Sequence, residues 1–295
     1  MRGQLNVVNS PRIDTTSTLL LSNHISVLDY KIIAAALHNT AQAVPRVVLR
    51  DDAMHPDEKE GDVPMHNPDY RLLQMAKHRF VYSVLKAAVG AIPIRRTDSV
   101  YPSGVNTPRG YLNAIKRGED VLIFPMAKVT RDGSIDYVSE TSKYFEDRHT
   151  IKIMNGHAPI HVAFIHLLRD PVFKQYAVTF GESYTAEDLP SLSFVDEQKK
   201  CTTLTGLQIY HFLDRRPKGI TLKDAIIKLR AQRFNIVPNI TPSEITKAVF
   251  AFNPWMDHKD EDLDLNQETV EVASPDYQYN SIKHIIPELE RILRA

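Results

Sequence analysis

Short apolar runs alternate with longer helical patterns between Thr18 and Gly181. Most of these runs have no polar alternation, which is typical of strands covered on both faces of a sheet. We predict strands over TLLLSN, PRVVLR, GAIPIRR, DVLIFP, APIHVAF and YAVTFG. Helices are predicted between them over residues 26–37, 70–89 and 107–116, with a solvated loop over residues 51–70. This alternation predicts an α/β fold in which helices cover a central sheet.

After Gly181 the strand signal fades and the pattern becomes helical. One predicted helix covers TLKDAIIKLRAQRF, and the next begins with Thr241 as N-cap, Pro242 at N1 and Glu244 at N3 of a capping box. The acidic stretch MDHKDEDLDLNQE is predicted as a linker, and a terminal amphipathic helix as kinked near Pro287. We therefore predict an α/β domain over residues 1–196 and a mostly helical C-terminal extension over residues 197–295.

Composition narrows the class of function. The chain has 36 basic and 36 acidic residues, so it carries no net charge that would favour nucleic acid as a partner. Its single cysteine, Cys201, excludes an intramolecular disulfide and favours a reducing compartment. No metal is predicted, because the histidines near the strands lack ligand spacing with acids: His157, His161 and His166. The N-terminus has no signal-peptide core, and no run of about 18 apolar residues could span a bilayer.

The stretch SNHISVLDY follows the first predicted strand and carries the candidate chemistry. One interpretation is structural, with Ser26 as N-cap and Asp29 at N3 of a capping box. The other is catalytic, and it requires His24 to contact Asp29. Five residues of continuous helix would turn the two about 140° apart, so His24 must lie in the turn before the helix. An aspartate bound to one imidazole nitrogen would leave the other nitrogen as a base for a hydroxyl.

The segment NHISVLD resembles the Asn-His-x-Ser-x-x-Asp form of the His-x-x-x-x-Asp motif of the glycerolipid acyltransferases. That family includes glycerol-3-phosphate and lysophosphatidic acid acyltransferases and tafazzin. Three further blocks follow in the family's order: GAIPIRR with Arg96, FPMAKVTRDG from Phe124 to Gly133, and HAPIHVAFIH with Pro159. The resemblance covers residues 17–185 and implies a mixed central sheet covered by helices.

The third block departs from the family pattern Phe-Pro-Glu-Gly-Thr-Arg-Ser. Met126 replaces the glutamate, Ala127 the glycine and Lys128 the threonine. In the family the glutamate helps to arrange the acceptor site, and a methionine can neither accept a hydrogen bond from a hydroxyl nor pair with an arginine. The acceptor site is therefore expected to be altered.

The resemblance implies an O-acyltransferase of phospholipid biosynthesis that needs no cofactor. The donor would be acyl-CoA or acyl carrier protein, and the acceptor a hydroxyl of glycerol-3-phosphate, lysophosphatidic acid or another lysophospholipid. His24 would be the catalytic base and Asp29 its orienting partner. Asn23 and Ser26 would shape the turn. Three cations would bind the phosphate of the acceptor: Arg95, Arg96 and Lys128. The other predicted substrate-binding residues are Phe124 and Pro125.

The segment KHRFVYSVLKAAVGAIPIRR mixes apolar and basic residues, as an interfacial helix on anionic lipid does. A core helix in which Lys86 reaches solvent explains the same pattern. We expect a cytoplasmic protein that is peripheral on the inner membrane face. Two other functions stay open: a non-catalytic lipid or acyl-chain binding homologue, and a thioester hydrolase in which water replaces the acceptor. The retention of both His24 and Asp29 argues against the first.

Overall fold

The computed structural model describes residues 4–9, 17–25, 29–40, 44–50, 92–94, 113–125, 135, 161–170, 173, 175–185, 187–188, 193–237, 241–251 and 274–295. Three predicted segments lie wholly outside these ranges: the loop over residues 51–70, the helix over residues 70–89 and the acidic linker.

The described strands of the first part of the chain form one mixed sheet. In chain order they are β1 (Gln4–Val8), β2 (Thr18–Ser22), β3 (Arg46–Arg50), β4 (Ile92–Ile94), β5 (Val121–Ile123), β6 (His161–Asp170) and β7 (Gln175–Thr185). Their order across the sheet is β1-β7-β6-β2-β5-β3-β4. Neighbours β6 and β7 run antiparallel, and the other neighbouring pairs run parallel. The predicted α/β class with a mixed central sheet is confirmed.

Helices cover both faces of this sheet, which explains the continuous apolar run of β2. Helix α1 (Asp29–Asn39) packs Ile33 and Leu37 against Leu20 on one face. On the opposite face Leu19 and Leu21 share an apolar cluster with Ala114 and Ile115, which belong to a helical turn, and with Cys201. All five residues of β2 are buried. Burial of each leucine side chain contributes about 1.5–3 kcal/mol, so β2 holds the two layers together.

Helix α2 (Phe194–Cys201) crosses the predicted boundary at residue 196. It begins at the N-cap Ser193, whose hydroxyl accepts from the backbone N–H of Asp196. Its last residue, Cys201, packs in the core beneath β2. Strand signal also continues past Gly181, because β7 extends to Thr185.

The C-terminal part is mostly helical, as predicted. It contains α3 (Gly206–Arg215), α4 (Leu222–Ala231), α5 (Pro242–Ala251), α6 (Pro275–Asn280), a 3₁₀ turn (Lys283–Ile285) and α7 (Ile286–Arg294), with a short parallel pair β8 (Leu204–Thr205) and β9 (Ile236–Val237). These elements enclose a second apolar core of their own, which includes Phe212, Leu229 and Leu289.

The predicted start of α5 is confirmed at the level of its hydrogen bonds. The backbone N–H of Thr241 donates to Glu244 Oε2 at 2.8 Å, and the backbone N–H of Glu244 donates to Thr241 Oγ1 at 3.4 Å. Near Pro287 the structure has a 3₁₀ turn followed by a separate α-helix, in place of the single kinked helix that we predicted. Helix α7 begins at Ile286 and places Pro287 in its first turn, where the missing N–H of proline costs no helical hydrogen bond.

Among the helices in the described ranges, none is both long enough and apolar enough to cross a membrane.

Candidate active site

The candidate site lies at the carboxyl ends of two inner strands of the sheet, β2 and β5. The two strands are adjacent and parallel, and Leu21 pairs with Ile123. Phe124 directly follows β5, and His24 lies two residues after β2, so both residues lie beyond the same end of these two strands. The carboxyl ends of strands are where open α/β sheets bind their ligands.

His24 and Asp29 contact each other through the turn between β2 and α1. His24 lies ahead of the helix, whose first residue is Asp29. His24 Nδ1 is 2.9 Å from Asp29 Oδ2, and the backbone N–H of Ile25 donates to the same oxygen at 2.6 Å. The Asp29 side chain is fully buried, while 20% of the His24 side chain is exposed. This is the arrangement that the catalytic interpretation requires.

The hydrogen bond to Asp29 defines the state of the His24 ring. An ionised carboxylate only accepts hydrogen bonds, so Nδ1 of His24 carries the proton. Nε2 then carries the lone pair that can accept a proton from a hydroxyl. The buried carboxylate also favours the imidazolium that forms after proton transfer. The pair can therefore act as a general base.

Phe124 stacks on the imidazole of His24. The two ring centroids are 4.4 Å apart and the planes differ by 25°. Phe124 is half-buried, and Pro125 beside it is buried. The first and third sequence blocks are thus brought into contact, although they lie about a hundred positions apart in the chain.

Asn23 anchors the turn to the neighbouring strand β6. Its Nδ2 donates to the carbonyl of Leu167 at 3.0 Å, and its Oδ1 accepts from the N–H of Leu167 at 2.7 Å. Only 2% of Asn23 is exposed. The amide side chain therefore continues the hydrogen bonding between β2 and β6 one residue beyond the end of β2, which holds the backbone next to His24 in place. These hydrogen bonds restrain the start of the turn that leads to His24.

The remaining predicted site residues lie outside the described ranges: Ser26, Arg95, Arg96 and Lys128. The same holds for Met126, Ala127 and Pro159. The roles assigned to them stay predictions, as does the capping-box interpretation of Ser26.

Sequence reasoning missed two contacts of the turn, the N–H of Ile25 on Asp29 and the backbone of Leu167 on Asn23. Both use backbone atoms, which every residue type carries, so no residue pattern marks them.

Two further features bear on alternative chemistry. Burial raises the pKa of the Cys201 thiol to about 12, so this cysteine stays a protonated core residue and not a nucleophile. Across the described ranges, no group of three or more His, Cys, Asp or Glu side chains could hold a metal ion. His166 accepts from the backbone N–H of Thr203 at 3.4 Å, as a structural histidine does.

Comparison with known proteins finds a distant structural likeness and no similarity in sequence. No protein-family model matches the chain, and no curated protein is significantly similar to it. Among solved structures, the chain is similar to the crystal structure of the 1-acyl-sn-glycerophosphate (LPA) acyltransferase PlsC from Thermotoga maritima. The identity is 13%, the match covers 67% of each chain and the TM-score is 0.35. A likeness of this degree does not place the chain in a family, and the resemblance of the sequence blocks stays a prediction.

Proposed function

We propose that this protein is an acyltransferase that moves a fatty acyl group from a thioester donor to the hydroxyl of a phosphate-bearing lipid precursor. The donor is acyl-CoA or acyl carrier protein, and the acceptor is glycerol-3-phosphate, lysophosphatidic acid or another lysophospholipid. The observation that carries the proposal is the contact between His24 Nδ1 and Asp29 Oδ2 at the end of β2. The order of the four sequence blocks supports the same reaction.

In this mechanism His24 Nε2 removes the proton of the acceptor hydroxyl while the oxygen attacks the thioester carbonyl. The tetrahedral intermediate then expels the thiolate, which takes the proton back from the imidazolium. The products are an ester and a free thiol, and no acyl-enzyme forms. Asp29 holds the ring and stabilises its charged state, which is the usual contribution of a carboxylate behind a catalytic histidine.

The acceptor's phosphate is assigned to Arg96, with Arg95 and Lys128 as further cations. A guanidinium suits a phosphate because it donates two parallel hydrogen bonds. With Met126 in place of the family's glutamate, these cations lack a partner carboxylate from that position, and the phosphate supplies the negative charge instead. A lipid acceptor places the reaction at a membrane surface. This half of the proposal rests on the sequence alone.

The test is release of free thiol by the purified protein from acyl-CoA, with and without a panel of acceptors. His24→Ala is expected to lower turnover by at least about 10²-fold, the low end of general-base contributions. His38→Ala is the matched control, since His38 is an exposed histidine in the last turn of α1. A folded His24→Ala protein that keeps more than about a tenth of wild-type activity contradicts the role of His24.

Asp29→Asn separates catalysis from helix capping. Loss of a cap alone lowers the free energy of unfolding by about 1 kcal/mol and spares turnover. Loss of the orienting carboxylate instead lowers turnover steeply with little change in melting temperature. Melting curves and rates measured on one preparation decide between these outcomes, and unchanged rates would contradict the dyad.

The same assay distinguishes the two other functions. Thiol release that does not depend on any acceptor identifies a thioester hydrolase. A wild-type protein that is inert with every donor and acceptor, but gains activity in Met126→Glu with Ala127→Gly, is a lipid-binding homologue that has lost catalysis.

A further inference from the structure

The ring of Phe124 stacks on the imidazole ring of His24. One face of the Phe124 ring meets the imidazole at a centroid distance of 4.4 Å. Phe124 also packs against the apolar cluster between the sheet and α1, which includes Leu20 and Leu122. The phenyl ring is thus held by the core and in turn supports the imidazole.

The hydrogen bond at Nδ1 does not by itself fix the plane of the imidazole. It sets the direction of that nitrogen towards Asp29, but the ring can still tilt about the line that joins Nδ1 to Oδ2. A flat surface at stacking distance removes this tilt and so fixes where Nε2 points. Misplacement of a reacting atom by about 1 Å can cost as much as 10²-fold in rate, so this restraint matters for a base.

The stacked ring of Phe124 also interacts electrostatically with the positive charge that His24 gains during the reaction. The face of a phenyl ring carries negative electrostatic potential, which attracts a cation placed over it. When His24 takes the acceptor's proton, its ring becomes an imidazolium in contact with that face. The attraction is stronger for the charged ring than for the neutral ring, so it lowers the barrier to proton transfer.

We propose that Phe124 is a positioning residue for the base, with a ring that fixes the plane of His24 and stabilises its protonated form during turnover. The sequence prediction placed Phe124 among the substrate-binding residues, whereas the geometry points to contact with the base. The kinetic half of this inference rests on the proposed acyl transfer.

The kinetic test compares Phe124→Leu, which keeps apolar bulk, with Phe124→Tyr, which keeps the aromatic face. Phe124→Leu should lower kcat roughly tenfold and leave the acceptor KM within about twofold, whereas Phe124→Tyr should stay within about threefold of wild type. A rise in KM at constant kcat in Phe124→Leu would mean that Phe124 binds substrate, and the positioning role would be overturned. If Phe124→Leu does not fold, Phe124→Met replaces it.

A second readout does not depend on activity. Nitrogen-15 NMR of labelled histidine reports the tautomer of each ring, and the His24 signals are assigned by their loss in His24→Ala. The wild type is expected to show His24 protonated at Nδ1, with a sharp signal. Phe124→Leu should broaden that signal or mix the two tautomers, and Phe124→Tyr should restore it.

The two readouts keep the inference separate from the proposed function. If the wild type turns over no donor, the acyltransferase proposal fails, and the NMR comparison alone decides the role of Phe124. An unchanged His24 signal in Phe124→Leu then overturns the positioning role. Tautomer mixing in Phe124→Leu that Phe124→Tyr reverses supports it.

Discussion

Two buried histidines where the sheet meets the C-terminal part predict a protein that loses stability in mild acid. His166 lies in β6 and His284 in the 3₁₀ turn before α7, with ring centroids 6.4 Å apart. Burial lowers the pKa of His166 to about 4. Burial lowers the pKa of His284 to about 3, with smaller contributions from His166, in its protonated form, and from Lys199. Both rings are therefore neutral in the folded protein.

The hydrogen bonds of the two rings agree with this assignment. His166 Nδ1 accepts from the N–H of Thr203, so it cannot also carry a proton. The hydroxyl of Thr202 donates to the carbonyl of Gln198 at 2.7 Å, so at 2.9 Å it accepts from Nε2 of His284. His284 Nδ1 is buried and has no hydrogen-bond partner among the described residues. Protonation of either ring would break a hydrogen bond or bury an uncompensated charge.

The sign of the effect follows from proton binding. An unfolded histidine titrates near its ordinary pKa of 6.5. Below that pH the two histidines bind protons in the unfolded chain but stay neutral in the folded chain. The free energy of unfolding therefore falls as the pH falls towards the pKa values of the folded protein. Between about pH 7.5 and 5 each ring accounts for a loss of about 2 kcal/mol, and the two together for about 4 kcal/mol. Ordinary carboxyl groups stay mostly ionised in this window.

Urea unfolding at about pH 7.5 and pH 5 measures this loss directly. His166→Asn keeps an acceptor near the position of Nδ1, and His284→Gln keeps a donor near the position of Nε2. Each substitution should shrink the loss by about 2 kcal/mol, although each also lowers stability at neutral pH. His38→Asn, at an exposed position, should leave the loss unchanged. A wild-type loss below about 1 kcal/mol, or a double variant that loses as much as wild type, would refute the reasoning.

Three other substitutions test the packing and the backbone. Gly206→Ala would place a methyl group against Cδ1 of Ile245 and should lower the free energy of unfolding by about 1–3 kcal/mol. Valine lacks that atom, so urea titration of Gly206→Ala in an Ile245→Val background should show most of the loss removed. Arg233→Gly should raise the melting temperature, with a gain of up to about 1 kcal/mol, because Arg233 has a left-handed backbone with φ of 65°; an unchanged or lower value contradicts this. Asn23→Ala leaves the backbone N–H and C=O of Leu167 buried without the Asn23 side chain, so it should lower the free energy of unfolding by about 2 kcal/mol and also lower kcat. A variant with wild-type melting and rates would show that the hydrogen bonds of Asn23 are dispensable.

Burial on both faces made the inner strands of the sheet predictable. Strands β2 and β5 are completely buried, and a strand with two apolar faces reads as an unbroken apolar run. Strand β1 was not predicted, because it lies at the edge of the sheet and is exposed or half-buried along its length. Its sequence, QLNVV, mixes polar and apolar residues and carries too little signal for a strand.

Helix α3 was missed although its signal was present. Thr205 and Gln208 form a reciprocal capping box, with the N–H of Gln208 donating to Thr205 Oγ1 at 3.0 Å and the N–H of Thr205 donating to Gln208 Oε1 at 2.8 Å. The spacing Thr-x-x-Gln is the same rule that located α5. Helix α2 likewise starts at a serine N-cap, Ser193. The capping rule, applied along the whole chain, would have found these two helix starts.

The candidate site was predictable only in part, for a different reason. From the sequence spacing we could infer that His24 contacts Asp29 only if His24 lies in a turn before the helix. The spacing could not show that the chain forms this turn. The anchor of that turn joins residues that are 144 positions apart, because Asn23 binds Leu167. Such a contact depends on β6 lying beside β2, and the order of strands in a sheet is a property of the whole fold. The local residue pattern does not contain it.

Strand β6 connects the site to the C-terminal part through three consecutive residues. The carbonyl of Ile165 accepts from Gln198 Nε2 at 2.7 Å, the ring of His166 accepts from the N–H of Thr203, and the backbone of Leu167 holds Asn23. Hydrogen bonds to neighbouring residues of one strand restrain the same stretch of backbone. Loosening of the contacts to α2 and the residues after it is therefore expected to reach Leu167 and, through Asn23, the turn that presents His24. On this reasoning the C-terminal part supports the turn of His24 as well as forming its own core, and acid that protonates His166 acts on both.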